Sequence, residues 1–343
     1  MDESLPLVTF IITTYNLPDE YLRTCIKHVL HLTLTPKERE VIVVDDGSAL
    51  SCVEKLDEYM DDIIYIRQAN QGLSVARNTG LRMARGKYVQ FVDGDDYLVR
   101  TPYDHCLDIV RYHQPDMVVF DHTRQPQTET PLGFTGPMTG SSYMRNHNIK
   151  GSACSYIFRR AVLGSLRFTP GTVIEDEEFT AQLIMRAETL YITEAKAYYY
   201  RQREGSLVND TSAEHSDRRL ADTLAVIYRL QEKADRMPEN EKVALRRRVA
   251  QLSMDYLYNT IRLSHSYTRL MEAINQLRNR NLFPLPDKQY TRKYTYFRRM
   301  TQSAIGRRIL VWTIRLKAHE DSLDRRVQPC TLDIGRRATS VGS

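Results

Sequence analysis

The sequence lacks any run of ~18 to 20 apolar residues, the length that a membrane-spanning helix needs. Its longest apolar stretches, such as Val41 to Val44, are strand-sized. A chain that forms its own pore across a bilayer is therefore not expected. Basic residues are missing at the start, where Asp2 and Glu3 stand, and the apolar stretch Leu5 to Ile12 is broken by Pro6 and Thr9. No secretory leader is read there, and the cytoplasm is the expected compartment. Cysteine is sparse: Cys25, Cys52, Cys106, Cys154 and Cys330 are odd in number and widely spaced, which fits neither a disulfide framework nor a zinc set. The nine histidines form no metal box. No G-x-x-x-x-G-K-[ST] occurs, which excludes a Walker-type NTPase. With 15 Gly and 13 Pro in 343 residues the chain is neither collagen-like nor low-complexity, and 42% hydrophobic residues suffice for a packed core. One large domain with an accessory segment is expected.

Charge is present but unevenly spread. Residues 1–100 hold 11 Lys+Arg against 16 Asp+Glu, whereas residues 281–343 hold 13 against 5, so the net +5 arises at the C-terminal end. Such a tail suits an acidic partner surface.

The first 120 residues alternate strand and helix signals. Short β-branched runs at Leu7–Ile12, Val41–Val44, Ile63–Ile66, Tyr88–Val92 and Met117–Phe120 have the length of buried strands. Between them Leu22, Ile26, Val29 and Leu30 fall at i, i+4, i+7 and i+8, and Ala76, Gly80, Met83 and Ala84 repeat that spacing. This order predicts an α/β fold with a mostly parallel central sheet, and ligands at the carboxyl ends of its strands. Residues 123–142, rich in Thr, Pro and Gly, read as a long surface loop. A helix is predicted over Asp176–Ala187 and a strand over Leu190–Tyr200. From about Glu214 onward, stripes such as Leu245, Val249, Leu252 and Tyr256 predict helices whose apolar residues are packing faces.

Chemistry gathers where strands end. Asp93-Gly94-Asp95-Asp96 directly follows the apolar run Tyr88–Val92. Three carboxylates at a strand end repel one another unless a cation neutralises them, and Mg²⁺ or Mn²⁺ takes carboxylate and phosphate oxygens together. The same four residues would also serve as an Asp-rich turn. Val43-Val-Asp-Asp-Gly-Ser48 likewise ends a strand in two carboxylates, suited to a ribose or a base N–H, or to a turn and a helix N-cap. Thr13-Thr-Tyr-Asn16 supplies hydroxyls, including that of Tyr15, and an amide at the same edge. Asn70-Gln-Gly-Leu-Ser-Val-Ala-Arg-Asn78 places a helix start and a basic residue after the third strand, and both suit phosphate.

Taken in order, T-T-Y-N, V-D-D-G-S, N-Q-G-L-S-V-A-R-N-T-G and V-D-G-D-D resemble the donor-binding half of inverting family-2 glycosyltransferases of the GT-A fold. The resemblance continues through Arg167-Phe168, Glu175-Asp-Glu-Glu-Phe179 and Tyr198-Tyr-Tyr-Arg-Gln-Arg-Glu-Gly-Ser206, which look like acceptor-side motifs of bacterial surface-polysaccharide members. It implies a catalytic domain over 1–210, with a donor half to about 120 and an acceptor half over about 121–210, followed by a helical, basic region over 211–343. It implies a nucleotide-sugar donor, uracil contacts at Thr13 and Asp46, with Tyr15 in the same donor set, Arg77 near the base or diphosphate, and Asp93 near the ribose. Asp95 would bind the Mn²⁺ or Mg²⁺ that holds the diphosphate, Arg201 and Arg203 would approach the leaving diphosphate, and Asp176 would be the general base. Thr13 stands where many members have Pro.

Two rivals differ in kind. A nucleotidyltransferase would open with a Gly-rich basic loop where Thr13-Thr-Tyr-Asn16 stands, and a non-catalytic nucleotide-sugar-binding subunit would have no need of both Asp95 and Asp176. Between Gln289 and Lys317 eight basic residues and no acidic one are interleaved with Tyr290, Phe297, Ile305, Trp312 and other apolar side chains. That pattern predicts an interfacial segment peripheral on the inner face of the cell membrane, where each Lys or Arg near an anionic leaflet contributes roughly 1 kcal/mol. A lipid-linked saccharide acceptor would suit that placement. Packing of the apolar residues, with the charges merely solvated, is the other reading. No nucleic-acid motif accompanies the charge, so no nucleic-acid partner is expected.

Overall fold

The computed structural model describes residues 5–125, 130–202 and 212–327, and it divides into two compact units, Met1–Leu252 and Ser253 onward. In the first unit, β1 (Val8–Thr14) is buried along its whole length and runs between β2 (Arg39–Asp45) and β4 (Tyr88–Asp93), with β3 (Ile64–Arg67) beyond β2, all parallel. β1, β2 and β4 are covered on both faces, so they read as continuous apolar runs and not as alternations, while β3 is the partly exposed edge. Between them lie α1 (Asp19–Leu30), a 3-10 turn at Val53–Tyr59 and α2 (Leu73–Met83).

The remaining strands are β5 (Tyr97–Leu98), β6 (Met117–Thr123), β7 (Phe134–Met138), β8 (Tyr156–Arg159) and β9 (Leu190–Tyr199). The sheet order is β3-β2-β1-β4-β8-β6-β9-β5, with β7 also paired to β9. β6 and β9 are parallel, while β8, β5 and β7 join antiparallel. The fold is therefore the expected α/β one with a mostly parallel centre, and short antiparallel strands extend it. Helices α3 (Arg100–His113), α4 (Gly140–Asn146), α5 (Arg160–Leu163), α6 (Glu175–Ile184), α7 (Ala213–Asp235) and the first part of α8 (Glu239–Ser264) complete this unit.

One expectation is corrected. The stretch 123–142 is not a single loop, because β7 and the start of α4 fall inside it. Phe134–Met138 is exposed or nearly so throughout and has no apolar period, so only its backbone pairing with β9 makes it a strand. Periodicity has nothing to detect there.

The second unit holds the end of α8, α9 (Tyr267–Arg278), α10 (Arg292–Gln302) and α11 (Ala304–Val327). Its core includes Leu257, Ile261, Leu270, Ile274, Leu277, Tyr294 and Phe297. The Tyr258 and Phe297 rings meet edge to face at 6.4 Å, and Lys293 Nζ sits 4.4 Å from the Tyr258 ring centre. No described helix is long and apolar enough to cross a membrane.

Candidate active site

The carboxyl ends of β1, β2 and β4 form one edge. Thr13 pairs in register with Val44 on one side and Asp93 on the other, and the Asp46 N–H donates to the Thr14 carbonyl at 2.9 Å. Thr13 and Asp46 are buried there and Tyr15 is 50% exposed. Thr13, Asp46 and Asp93 are thus brought to one edge, as the motif order predicts. The Asp46 carboxylate has a structural occupation as well. It accepts from Gln68 Nε2 (2.7 Å), the Gln71 N–H (3.0 Å) and the Gly72 N–H (2.8 Å), which fixes the turn into α2. Its neighbour Asp45 accepts from the Ser48 N–H (2.9 Å) and the Tyr65 hydroxyl (2.8 Å).

The acidic turn after β4 is built around a close approach. The Gly94 N–H donates to the Thr13 carbonyl at 3.0 Å, and a Cβ on Gly94 would stand 2.8 Å from that oxygen, so the turn needs glycine. Asp96 is 2% exposed and accepts from the Tyr198 hydroxyl and the Arg201 N–H, both at 2.7 Å. Burial, then the neighbouring charges of Asp93 and Asp95, pushes the Asp96 carboxyl up to about 8. Arg201 is held to the same turn: its Nε donates to the Asp95 carbonyl at 2.9 Å, and its guanidinium lies 4.5 Å from the Tyr21 ring centre. Arg203 lies outside the described residues.

Among the described residues no group of three or more His, Cys, Asp and Glu side chains is arranged to hold a metal ion by itself. The donor set at Asp95 fits a different kind of site. Mg²⁺ and Mn²⁺ are commonly held by one or two carboxylates completed by substrate phosphates. Burial is the main cause of the raised Asp96 carboxyl, and the charges of Asp93 and Asp95 add the part that such an ion would relieve.

Arg77 joins this edge to α6. It stands on α2, 1% exposed, and donates from one terminal nitrogen to Asp93 Oδ1 at 2.9 Å and from the other to Glu175 Oε1 at 3.1 Å and to Asp176 Oδ1. Its guanidinium also lies over the Phe168 ring at 5.3 Å. Burial opposes the Arg77 charge, yet the Asp176, Asp93 and Glu175 carboxylates more than offset that and raise its pKa. In the other direction burial comes first: it raises both carboxyls of the Glu175–Asp176 pair, Glu175 to about 7. Asp176 Oδ2 accepts from the Ala153 N–H at 3.1 Å. Arg77, Asp93 and Asp176 line a cavity of about 660 Å³, together with Gln71, Tyr198 and Arg219.

The other two acids at the start of α6 are also clamped. Glu177 pairs with Arg248 of α8, and Glu178 takes Arg229 of α7 through Nε (2.9 Å) and a terminal nitrogen (2.8 Å). Asp222 of α7 accepts from the Val173 N–H at 2.9 Å. These positioning residues, Asp222, Arg229 and Arg248, are absent from the sequence reading. The signal was the run Glu175–Glu178 itself, since four adjacent acids need counter-charges, but no local pattern says which arginines supply them.

Residues 9–162 match the family model described as glycosyl transferase family 2. "Glycosyltransferase GlyA" of Streptococcus pneumoniae is 31% identical over 221 residues, 58% of this chain and 31% of that protein. "Uncharacterized glycosyltransferase EpsJ" of Bacillus subtilis is 30% identical over 220 residues, 59% of this chain and 63% of that protein. The chain thus spans about a third to two thirds of the length of these relatives. The crystal structure of S. aureus TarS 1–349 in complex with UDP-GlcNAc superposes with a TM-score of 0.64 at 19% identity, covering 96% of this chain and 94% of that one, a likeness of GT-A fold.

Proposed function

We propose that this chain, which matches the family-2 glycosyltransferase model over residues 9–162 and shares the GT-A fold, moves a sugar from a nucleotide diphosphate to an acceptor hydroxyl with inversion at the anomeric carbon. The donor is read as a UDP-sugar. The acceptor is read as a saccharide or lipid-linked saccharide of bacterial surface-polysaccharide synthesis, met at the inner face of the membrane. The observation that carries the reading is Arg77, whose guanidinium ties Asp93 at the donor edge to Asp176 across one cavity.

Sugar transfer asks three things of these residues. The nucleotide must be oriented, which Thr13, Tyr15, Asp46 and Asp93 do at the strand ends. The leaving diphosphate gains negative charge, and Asp95 and the Arg201 guanidinium stand at the turn where that charge would lie. A divalent ion bound through Asp95 would act there as a Lewis acid toward the diphosphate. The acceptor hydroxyl is a poor nucleophile at neutral pH, and Asp176 takes its proton as the C–O bond forms. A carboxyl raised by burial is a stronger base than one in water, and Arg77 keeps it ionised and aimed. One displacement inverts the centre, so no covalent enzyme intermediate is needed. Release of UDP from a UDP-sugar in the presence of an acceptor is the direct test.

Donor binding is expected to require the metal. Calorimetry with UDP should show binding in Mn²⁺ or Mg²⁺ and its loss in EDTA, because a diphosphate cannot otherwise approach the Asp93–Asp96 edge. Equal affinity in EDTA would remove the ion from the reading, and a preference for GDP or CDP would remove the uracil assignment.

The kcat/KM profile is expected to rise with pH along a limb above the ordinary carboxylate range, because burial raises the Asp176 carboxyl and a protonated base cannot accept another proton. Asp93→Asn should move this limb to lower pH, because the Asp93 carboxylate is a like charge that raises the Asp176 carboxyl. A profile flat from about pH 5.5 to 8.5 would place the base elsewhere.

A further inference from the structure

The last helix leaves a row of apolar side chains in water. α11 already has an inward side, where Leu310 is 3% exposed and Gly306 is buried. A Cβ on Gly306 would stand 2.2 Å from the Met300 carbonyl oxygen, so α11 begins hard against the end of α10. On the other side Ile305, Ile309, Trp312 and Leu316 are 73%, 42%, 63% and 46% exposed. Their spacing of i, i+4, i+7 and i+11 confines them to an arc of roughly 60° on a helix of 3.6 residues per turn. Scattered apolar residues on a surface need no explanation, but a contiguous row of four large ones marks a surface that something covers.

The charges beside the row say what covers it. Arg308 and Arg315 are exposed and flank one edge of the stripe, and Arg292, Lys293 and Arg299 are exposed on α10. No acidic residue occurs between Asp287 and Glu320. We infer that the Ile305–Ile309–Trp312–Leu316 face of α11 is a docking surface for an anionic lipid bilayer, lying in the headgroup boundary with its arginines at the phosphates. An interfacial helix has this build, one apolar stripe with Arg and Lys at its borders. A second copy of the chain is the poorer occupant. A two-fold contact centred on the stripe would set the exposed Arg308 and Arg315 against their own copies, with no acid between Asp287 and Glu320 to compensate. The inference rests on the membrane part of the proposed function and gives it an address, bringing the enzyme to the leaflet that would carry a lipid-linked acceptor.

Trp312 is the single tryptophan of the chain, so its emission reports on the stripe itself. The full chain is mixed with vesicles of phosphatidylcholine alone and of phosphatidylcholine with phosphatidylglycerol, some carrying brominated acyl chains. Expected are a blue shift and bromine quenching with the anionic vesicles only, weakened by salt. The double variant Ile305→Ser/Ile309→Ser, and separately Arg299→Gln/Arg315→Gln, should lower partition roughly tenfold. These side chains are exposed, and an unchanged circular dichroism spectrum confirms the fold. Absence of quenching with either vesicle, equal quenching with both, or a blue shift that follows protein concentration without lipid would overturn the inference, the last in favour of self-association. UDP release with a soluble acceptor is read in parallel and should be equal in wild type and variants. Lipid-dependent quenching without any turnover would leave the docking surface standing and remove sugar transfer.

Discussion

Asp176→Asn is expected to retain UDP-sugar binding and to lose transfer by roughly 10² to 10⁴ in kcat, the range for removal of a general base. The amide keeps the shape of the carboxylate but has a single oxygen, so it keeps the bond from Arg77 or the one from the Ala153 N–H and not both, and it has no basic oxygen for the acceptor proton. The lost hydrogen bond lowers stability, and removal of a charge that burial disfavours offsets part of that loss. Donor affinity by calorimetry and UDP release with an acceptor should therefore separate. The controls follow from the geometry. Glu175 is 8% exposed and shares Arg77, so Glu175→Gln should act mainly on the placement of Arg77 and retain transfer. Glu177 is engaged by Arg248, so Glu177→Gln should act mainly on the placement of α6. Transfer by Asp176→Asn at a near wild-type rate would move the base elsewhere.

Arg77→Met is expected to be the most destabilising single change in the site, by ~3–5 kcal/mol, the cost of leaving buried charges without their counter-ion. Methionine fills much of the space of the arginine stem but abandons Asp93, Glu175 and Asp176 to one another. The cost should depend on pH. Glu175 and Asp176 already have folded-state pKa values raised above those of the unfolded chain, so their contribution is most favourable at low pH and is lost as pH rises through about 7 for Glu175. Removing the guanidinium raises both further, so the deficit against wild type should be larger at pH 8 than at pH 5.5. Urea midpoints at the two values measure this. Arg77→Lys should fall between, since a point charge cannot reproduce a planar fork that serves three carboxylates. A wild-type midpoint for Arg77→Met at pH 8 would show that something else neutralises the cluster.

The layers and the edge that holds the chemistry are written in local order and spacing. Buried parallel strands advertise themselves as apolar runs, and the acids that end them, Asp45-Asp46 and Asp93 to Asp96, are local facts of order and spacing. For that reason motif order alone brings Thr13, Asp46 and Asp93 to one edge, and composition alone shows the concentration of basic charge in the tail. Periodicity failed at Phe134–Met138, whose strand exists only because β9 offers it a backbone partner. Which charge answers which is settled by the folded chain alone. Arg77 reads as a phosphate ligand from its place at a helix start, yet its guanidinium is met by Glu175 and Asp176, 98 and 99 residues further on. Glu177 and Glu178 find Arg248 and Arg229 at separations of 71 and 51. The tail was divided in the same way: Tyr294 and Phe297 went inward, while Ile305 and Trp312 stayed in water. Strand and helix patterns follow from neighbours a few residues apart, which a sequence displays. Counter-charge pairing and the choice of buried face follow from which groups lose their water together, and that is fixed only when segments distant in the chain close on one another.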